Sequence, residues 1–133
     1  MTQQPSEITF KSIGRPDIGY ISVAEYQDLI PFEIKRVYWT YFTPNHIIRG
    51  NHAHKSLKQI IVAVSGIIEF ELEDKKGNIT SYTLDSPEKG IFVPEGYWRT
   101  IKFSHNAVLL CLASESYKED DYIRDYDEFK RIK

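Results

Sequence analysis

The sequence predicts an all-β protein, built as an antiparallel sandwich or barrel. Short segments rich in β-branched and aromatic residues recur along the chain, and their apolar and polar positions alternate. Turn-forming sequences such as Thr43-Pro44-Asn45 and Lys76-Gly77-Asn78 separate these segments, and little of the chain has a helical period. Frequent short strands without intervening helices are typical of antiparallel folds, so the pattern argues against a helix bundle and against a parallel α/β sheet.

The clearest strand is predicted over Ile34–Phe42, where alternation places Arg36, Tyr38 and Thr40 on one face and apolar side chains on the other. A second strand contains His52-Ala53-His54, so both imidazoles point to the same face. Further strands are predicted, in chain order, over Ile8–Ile13, Tyr20–Val23, Lys58–Ser65, Ile67–Glu73, Ile79–Leu84, Gly90–Val93, Trp98–Phe103 and Ala107–Ala113.

Two short helices are also predicted. One covers Val23–Leu29, just before Pro31. The other begins at the acidic pair Asp120-Asp121, which we expect to be a solvated helix start, and ends at the basic pair Lys130-Arg131, an arrangement that suits the helix dipole. Its apolar face consists of Tyr122, Tyr126 and Phe129.

The composition limits the classes of function. The chain has 133 residues and a formal net charge of -2, which predicts a single domain over residues 1–133 and argues against nucleic-acid binding. Met1–Ser6 is polar, and the longest apolar run, Ile60–Val64, is too short to span a bilayer, so we expect a cytoplasmic protein without membrane attachment. Cys111 is the single cysteine, which fits a reducing compartment, and its apolar neighbours indicate buried packing.

The chemistry concentrates around the two strand histidines. His52 and His54 are followed at fixed spacing by Gln59 and Gly66, and a second segment runs from Pro94 to Arg99. This arrangement resembles the two motifs of the cupin superfamily, H-x-H-x4-[acid or amide]-x6-G and P-x-G-x2-H. The resemblance implies an antiparallel jelly-roll barrel whose pocket is lined by the histidine strand.

Two departures from the superfamily pattern argue against a metal. Metal-binding cupins hold a divalent ion with a glutamate and a third histidine, but Gln59 and Arg99 stand at those positions here. An amide is a weak ligand, and a guanidinium has no lone pair to donate and repels a cation. We therefore predict a pocket without metal or other cofactor, suited to moving a proton next to a carbonyl: a neutral imidazole is the base, and Tyr38 or Arg99 stabilises the resulting enolate.

The resemblance narrows to one family within the superfamily. The matching segments are Pro31–Tyr38, Arg49–Lys55, Leu57, Gln59, Gly66, Val93–Trp98 and Tyr122–Phe129. They are similar to the WxcM-like sugar nucleotide 3,4-ketoisomerases. The resemblance implies conversion of dTDP-4-keto-6-deoxy-D-glucose to a dTDP-3-keto-6-deoxyhexose, which an aminotransferase then converts to a 3-amino sugar for surface glycans.

Residue roles follow from the same resemblance. His54 is expected to be the base that moves a proton between C3 and C4, and His52 and Tyr38 to bond the sugar oxygens. Arg49 and Lys55 are expected to bind the diphosphate, where Arg can bind two oxygens at once. Tyr20 and Arg99 resemble the family members that give a gluco-configured product. Gln59 and Trp98 complete the predicted substrate-binding set.

Other interpretations remain open at this point. The protein is alternatively a dTDP-sugar 3- or 5-epimerase, or a non-catalytic cupin that binds a sugar nucleotide. Arg49 and Lys55 are alternatively solvated charges at strand ends, and Tyr38 is alternatively core filler. We expect His46 and His105 to be exposed loop residues. The resemblance also suggests a homodimer with exchanged N-terminal strands, which would protect exposed sheet edges.

Overall fold

The computed structural model describes residues 3–132. Its strands and helices follow one another along the chain as β1 Ser6–Thr9, β2 Lys11–Arg15, β3 Gly19–Val23, β4 Glu25–Tyr26, β5 Leu29–Ile30, β6 Arg36–Thr40, β7 Ile48–His54, β8 Gln59–Ser65, β9 Ile68–Glu73, β10 Ile79–Leu84, β11 Lys89–Val93, β12 Trp98–Phe103, β13 Val108–Ala113, a 3-10 turn Glu119–Asp121, β14 Tyr122–Ile123 and α1 Tyr126–Arg131. The strands predicted from the sequence are confirmed to within about two residues at their ends, except that Ile8–Ile13 is divided at the buried Phe10 into β1 and β2.

Two five-stranded sheets face each other. The first has the order β1-β11-β8-β13-β6 and the second the order β10-β9-β12-β7-β14, with antiparallel pairing throughout. From β6 to β13, the strands are shared between the two sheets in the order of a jelly roll: apart from the consecutive pair β9 and β10, neighbouring strands of one sheet are not consecutive in sequence. The predicted cupin-type fold is confirmed, with the difference that hydrogen bonds do not close the sheets into one continuous barrel.

The core lies between the two sheets because every strand turns alternate side chains inward. Phe70 and Leu72 from β9 meet Ile61 from β8 and Leu109 from β13, and all four are almost fully buried. Gly66 makes the tight connection from β8 to β9 at a φ of +73°, and a Cβ there would lie 2.6 Å from the Cα of Ala107. The glycine of the first cupin motif is thus required by backbone geometry.

The predicted helix over Val23–Leu29 is wrong. Val23 belongs to β3, and the rest of the segment forms the short strands β4 and β5 with a bend between them. Gln27 and Leu29 adopt φ angles of +72° and +70°, in the left-handed region that a right-handed helix excludes. A helix of this length is only marginally stable unless it buries an apolar face. The helical spacing of Val23–Leu29 was therefore not sufficient to form a helix.

The second helix forms, but it begins later than predicted. Asp125 is the true N-cap, since its side chain accepts a hydrogen bond from the Glu128 N–H at 3.0 Å. The segment before it is a 3-10 turn followed by β14, so the prediction of a solvated helix start at Asp120-Asp121 is wrong. The helix packs through the fully buried Phe129. Within residues 3–132, no helix is long and apolar enough to cross a membrane.

Candidate active site

A cavity of about 560 Å³ opens between the two sheets at the end that carries the histidines. Polar and cationic side chains form one wall, and apolar core residues such as Phe70 and Leu109 form the floor. The polar wall includes Arg36, Tyr38, Arg49, His52, Arg99, Tyr122 and Arg124. A concave site with an apolar floor and several convergent polar groups is typical of small-ligand sites, and the excess of Arg over acidic groups favours an anionic ligand.

Strand register brings these side chains together. Arg99 on β12 lies directly opposite His52 on β7, and Tyr122 on β14 lies opposite His54. Residues directly opposite in an antiparallel pair point to the same face, so all four side chains are directed inward. The aromatic ring of Tyr122 consequently packs against both imidazoles, at centroid separations of 5.1 Å from His52 and 4.4 Å from His54.

A β-bulge at Gly50 and Asn51 sets the direction of the His52 side chain. The register against β12 shifts there, because Arg99 pairs with His52 while Thr100 pairs with Gly50 and leaves Asn51 unpaired. Gly50 has a φ of +90°, and a Cβ at this position would lie 2.8 Å from the carbonyl oxygen of Arg99. The Gly50 carbonyl lies 2.9 Å from His52 Nδ1 and can only accept a hydrogen bond. This contact therefore favours the tautomer with the proton on Nδ1 and leaves Nε2 unprotonated.

Arg99 carries its positive charge inside the protein. Its side chain is only 2% exposed, and its guanidinium donates to the Gln59 side-chain oxygen and, at 3.4 Å, to the Tyr97 carbonyl. Its Nε is buried without a partner in the described part of the chain, where none of the salt bridges includes Arg99. A buried cation held only by neutral acceptors is suited to an anionic ligand group.

Gln59 links Arg99 to Tyr38. Its side-chain NH2 donates to the Tyr38 hydroxyl at 2.9 Å and to Cys111 Sγ at 3.3 Å. Because Tyr38 accepts from Gln59, its own hydroxyl hydrogen can be donated to Cys111 Sγ or to a ligand in the cavity. Burial raises the pKa of the Tyr38 hydroxyl, as does the neighbouring Cys111, so Tyr38 is a hydrogen-bond donor at neutral pH. Burial also raises the pKa of the Cys111 thiol to about 11, which supports its predicted packing role.

His54 lies deeper than His52 and is bordered by an acidic group. It is 1% exposed, and its Nδ1 lies 3.4 Å from Asp121 Oδ2. That distance is longer than an ordinary hydrogen bond, and Nε2 is buried with no protein partner among the described residues. His52 therefore faces the cavity directly, while His54 stands behind it against Asp121.

Both imidazoles are held neutral. Burial, together with the Arg99 guanidinium, lowers the pKa of His52 from 6.5 to about 4 and the pKa of His54 to about 2. Desolvation disfavours the charged ring, and a fixed cation at close range adds to the same effect. Each ring can therefore accept a proton at neutral pH without first having to lose one.

The comparisons with known proteins now identify the family. A profile of the FdtA family, described as WxcM-like, C-terminal, matches residues 4–133. The chain belongs to the FdtA, WxcM-like family. A curated relative, TDP-4-oxo-6-deoxy-alpha-D-glucose-3,4-oxoisomerase from Aneurinibacillus thermoaerophilus, is 42% identical to this FdtA-family chain over 126 residues, which cover 93% of the chain and 88% of the relative.

Solved structures agree with this family assignment. A 3,4-ketoisomerase from Helicobacter canadensis is 39% identical and superposes with a TM-score of 0.91. The superposition covers 98% of this chain and 97% of the Helicobacter chain. A histidine-to-asparagine variant of the 3,4-ketoisomerase QdtA from Thermoanaerobacterium thermosaccharolyticum, in complex with TDP-4-keto-6-deoxyglucose, is 34% identical with a TM-score of 0.90. That superposition covers 98% of this chain and 94% of QdtA.

The structure brings most of the predicted site residues of this FdtA-family protein together. Of the predicted residues, four line the cavity: Tyr38, Arg49, His52 and Arg99. Gln59 is hydrogen-bonded behind them, and His54 is buried beside them. Arg49 is exposed at the mouth. The expected exposed positions of His46 and His105 are confirmed.

Three predicted substrate-binding residues lie elsewhere. Trp98 packs against Phe129 on the outer side of the second sheet, so the prediction that it contacts substrate is wrong. Lys55 is exposed beyond the end of β7, and its side chain is not part of the cavity wall. Tyr20 is 61% exposed on β3, away from the cavity of its own chain.

Several residues at the site were not predicted. Arg36 and Arg124 both line the cavity, and Arg124 also stacks on Tyr122 at 4.2 Å while forming a bidentate pair with Glu119. Asp121 faces His54. The signal for Tyr122 and Arg124 is the family resemblance of the Tyr122–Phe129 segment, but the spacing of its apolar residues also predicts a helix.

The donor set does not fit a divalent metal. Within residues 3–132, no group of three or more His, Cys, Asp and Glu side chains is arranged to hold one. The Gln59 oxygen that would replace the usual glutamate is already bonded to Arg99, and the Arg99 guanidinium stands where the third histidine of metal-binding cupins would be. The chemistry of these residues favours proton transfer between neutral imidazoles and a bound anion.

The buried neutral state of His54 predicts how stability depends on pH. Below about pH 6.5 the unfolded chain takes up a proton at His54 that the folded chain does not, so stability falls as the pH falls. At pH 5 this one group costs about 2 kcal/mol. In urea unfolding at fixed protein concentration, His54→Gln should reduce the loss of stability between pH 7 and pH 5 by about that amount.

The matched control is His46→Gln, which changes an exposed histidine and should leave the loss between the two pH values as in the unchanged protein. A His54→Gln variant that loses as much stability as the unchanged protein would contradict the neutral, buried state of His54.

Proposed function

We propose that this protein is a 3,4-ketoisomerase that converts dTDP-4-keto-6-deoxy-D-glucose to a dTDP-3-keto-6-deoxyhexose by metal-free acid–base catalysis. The observation that carries the proposal is the pair of neutral imidazoles held beside the buried Arg99 guanidinium, in a chain 42% identical to an oxoisomerase of that sugar nucleotide. The product would serve 3-amino sugar synthesis for surface glycans. We place the reaction in the cytoplasm, the reducing compartment that the single thiol fits.

In the proposed reaction, the proton on C3 passes to His54 Nε2, and the C3–H electron pair forms a C3–C4 double bond while the C4 carbonyl becomes an enolate oxygen. Tyr38 and Arg99 stabilise that oxygen, since both are donors fixed in the cavity wall. The proton then returns from His54 to C4. His52 moves the hydroxyl proton from O3 to O4, so a ketone remains at C3 and no redox partner is needed.

His54 is the preferred base because a carboxylate stands behind it. A base that gains a proton becomes an imidazolium, which the nearby Asp121 carboxylate stabilises more than the neutral carbonyl of Gly50 behind His52 does. His54 Nε2 has no bond to other described residues that a substrate would have to break. His52 faces the cavity and is suited to bonding the sugar oxygens.

The cationic mouth suits a diphosphate. Arg49 and Arg36 both line the cavity, and Arg can bind two phosphate oxygens at once. Arg124 beside them is partly neutralised by Glu119, which makes it a weaker candidate. The exposed aromatic ring of Tyr117, packed against Tyr122 at 5.6 Å, offers a surface on which a thymine ring could stack.

We propose a homodimer with exchanged N-terminal strands. The outer face of the first sheet carries an apolar cavity of about 760 Å³, lined by Phe10, Val64 and Leu110 among others, and Trp39 beside it is 60% exposed. Apolar surface of this extent favours a protein partner. Strand exchange would also bring Tyr20 to the cavity of the second copy, where it could act with Arg99 in favouring a gluco-configured product.

The dimer is tested by sedimentation velocity at micromolar concentrations. We expect a mass twice that of the chain, and Trp39→Glu should shift the protein toward the monomer because a charge would then be buried in the apolar interface. Ile79→Glu is the matched control, since Ile79 is 59% exposed on the other sheet, and it should remain dimeric. A monomer in the unchanged protein would rule out the proposed dimer.

The activity is tested by incubating the protein with dTDP-4-keto-6-deoxyglucose in D2O and following the sugar by NMR. We expect the ketone signal to move from C4 to C3, with deuterium at C4 of the product to the extent that the proton held on His54 exchanges with solvent before it returns. The configuration at C4 is determined from the same spectra. If the ketone stays at C4 while deuterium enters C3 or C5, the protein is an epimerase; if dTDP binds but neither isomerisation nor exchange occurs, it is a non-catalytic binding protein.

Variants of the two histidines separate their roles. His54→Asn should lower kcat by at least about 10²-fold, with dTDP binding retained, because the base is lost while the diphosphate contacts remain. His52→Asn should slow turnover but retain slow exchange at C3, because the base is still present. Faster exchange in His54→Asn than in His52→Asn would assign the base to His52 instead.

A further inference from the structure

We propose that Asp121 is a positioning residue for the isomerisation: its carboxylate orients the His54 ring and keeps the proton of the neutral imidazole on Nδ1. The proposal rests on the proposed function and deepens it. The sequence pattern placed Asp121 at a solvated helix start, but its side chain is only 14% exposed and lies beside a histidine that is 1% exposed.

Three hydrogen bonds fix the orientation of the carboxylate. Oδ1 accepts from the Ser56 N–H at 2.9 Å and from the Ser56 hydroxyl at 2.6 Å, and Oδ2 accepts from the Leu57 N–H at 3.2 Å. Oδ2 is also the atom that lies 3.4 Å from His54 Nδ1. A carboxylate held by three donors cannot rotate away from the ring without breaking them.

The backbone around Asp121 holds it in register with His54. The Asp121 carbonyl accepts from the Lys55 N–H at 2.9 Å, and the next residue, Tyr122, pairs with His54 across the β7–β14 ladder. The turn that follows β7 and the segment that precedes β14 are therefore attached to each other on both sides of the histidine. This double attachment leaves Asp121 facing the ring edge that carries Nδ1.

The chemistry follows from which ring nitrogen carries the proton. A carboxylate accepts but cannot donate, so its presence at Nδ1 favours the Nδ1–H tautomer and leaves the lone pair on Nε2. Nε2 is buried without a partner among residues 3–132, so no protein donor occupies its lone pair. When Nε2 takes that proton, Asp121 offsets the repulsion that Arg99 exerts on the imidazolium. The 3.4 Å separation fits a contact that tightens in the substrate complex.

The test is Asp121→Asn, examined by NMR and by kinetics. The asparagine oxygen can keep the bonds to Ser56, while its NH2 group, placed at Oδ2, donates to His54 Nδ1 and forces the proton to Nε2. We expect kcat to fall by about 10²- to 10⁴-fold with KM changed less than about threefold. Long-range ¹H–¹⁵N spectra should show His54 as the Nδ1–H tautomer in the unchanged protein and as the Nε2–H tautomer in the variant.

Two control variants separate positioning from structure. Asp120→Asn changes the adjacent exposed carboxylate and should leave kcat and the tautomer unchanged. Ser56→Ala removes one of the three bonds that hold the same carboxylate, so it should lower kcat less than Asp121→Asn does and leave the proton of His54 on Nδ1. Loss of kcat in Ser56→Ala equal to that in Asp121→Asn, with the tautomer unmoved, would assign Asp121 a purely structural role.

The spectrum of the unchanged protein decides the proposal even if Asp121→Asn fails to fold. An Nε2–H tautomer at His54 there would overturn it. Because the tautomer is measured without substrate, it is independent of turnover. An Nδ1–H tautomer in a protein without isomerase activity would refute the proposed function and leave the contact between Asp121 and His54 supported.

Discussion

Arg99 carries its charge almost entirely buried in the cavity wall, and the groups around the site are arranged to tolerate that charge. Its bonds go to the Gln59 amide and the Tyr97 carbonyl, both of them neutral. Removing a guanidinium from water costs several kcal/mol unless it is compensated, and no carboxylate pairs with it among the described residues. In the proposed reaction an oxyanion supplies the missing compensation, so the site would be complementary to the charged intermediate rather than to the neutral ketone.

The protonation state of the cavity follows from burial, with the buried Arg99 charge acting in the same direction on the two histidines. That charge helps to keep His52 and His54 neutral, because a second cation beside it is unfavourable, and burial keeps the Tyr38 hydroxyl protonated. At neutral pH the two imidazoles are thus unprotonated and the Tyr38 hydroxyl is protonated, and the donor set does not fit a divalent ion. The Gly50 bulge makes this proximity possible by setting His52 directly opposite Arg99.

Much of this arrangement could be predicted from the sequence, because alternation along a strand is a local property. The inward directions of Tyr38, His52 and Arg99 follow from it, and the spacing of the two motifs indicated that they share a pocket. The same alternation requires Trp98 to point outward when Arg99 points inward, a consequence that the prediction of a substrate contact overlooked. Asp121 could not be predicted, since its partners are sixty or more residues away along the chain and its neighbours fit a helix equally well.

The central claim, that burial and a buried cation together keep two histidines neutral, is tested most directly by an NMR titration of the His52 and His54 ring protons. We predict that both rings remain unprotonated as the pH falls to about 5.5, with His52 titrating near pH 4, and that Arg99→Met moves both titrations to higher pH. Titration of both rings near pH 6.5, unchanged in Arg99→Met, would contradict the account.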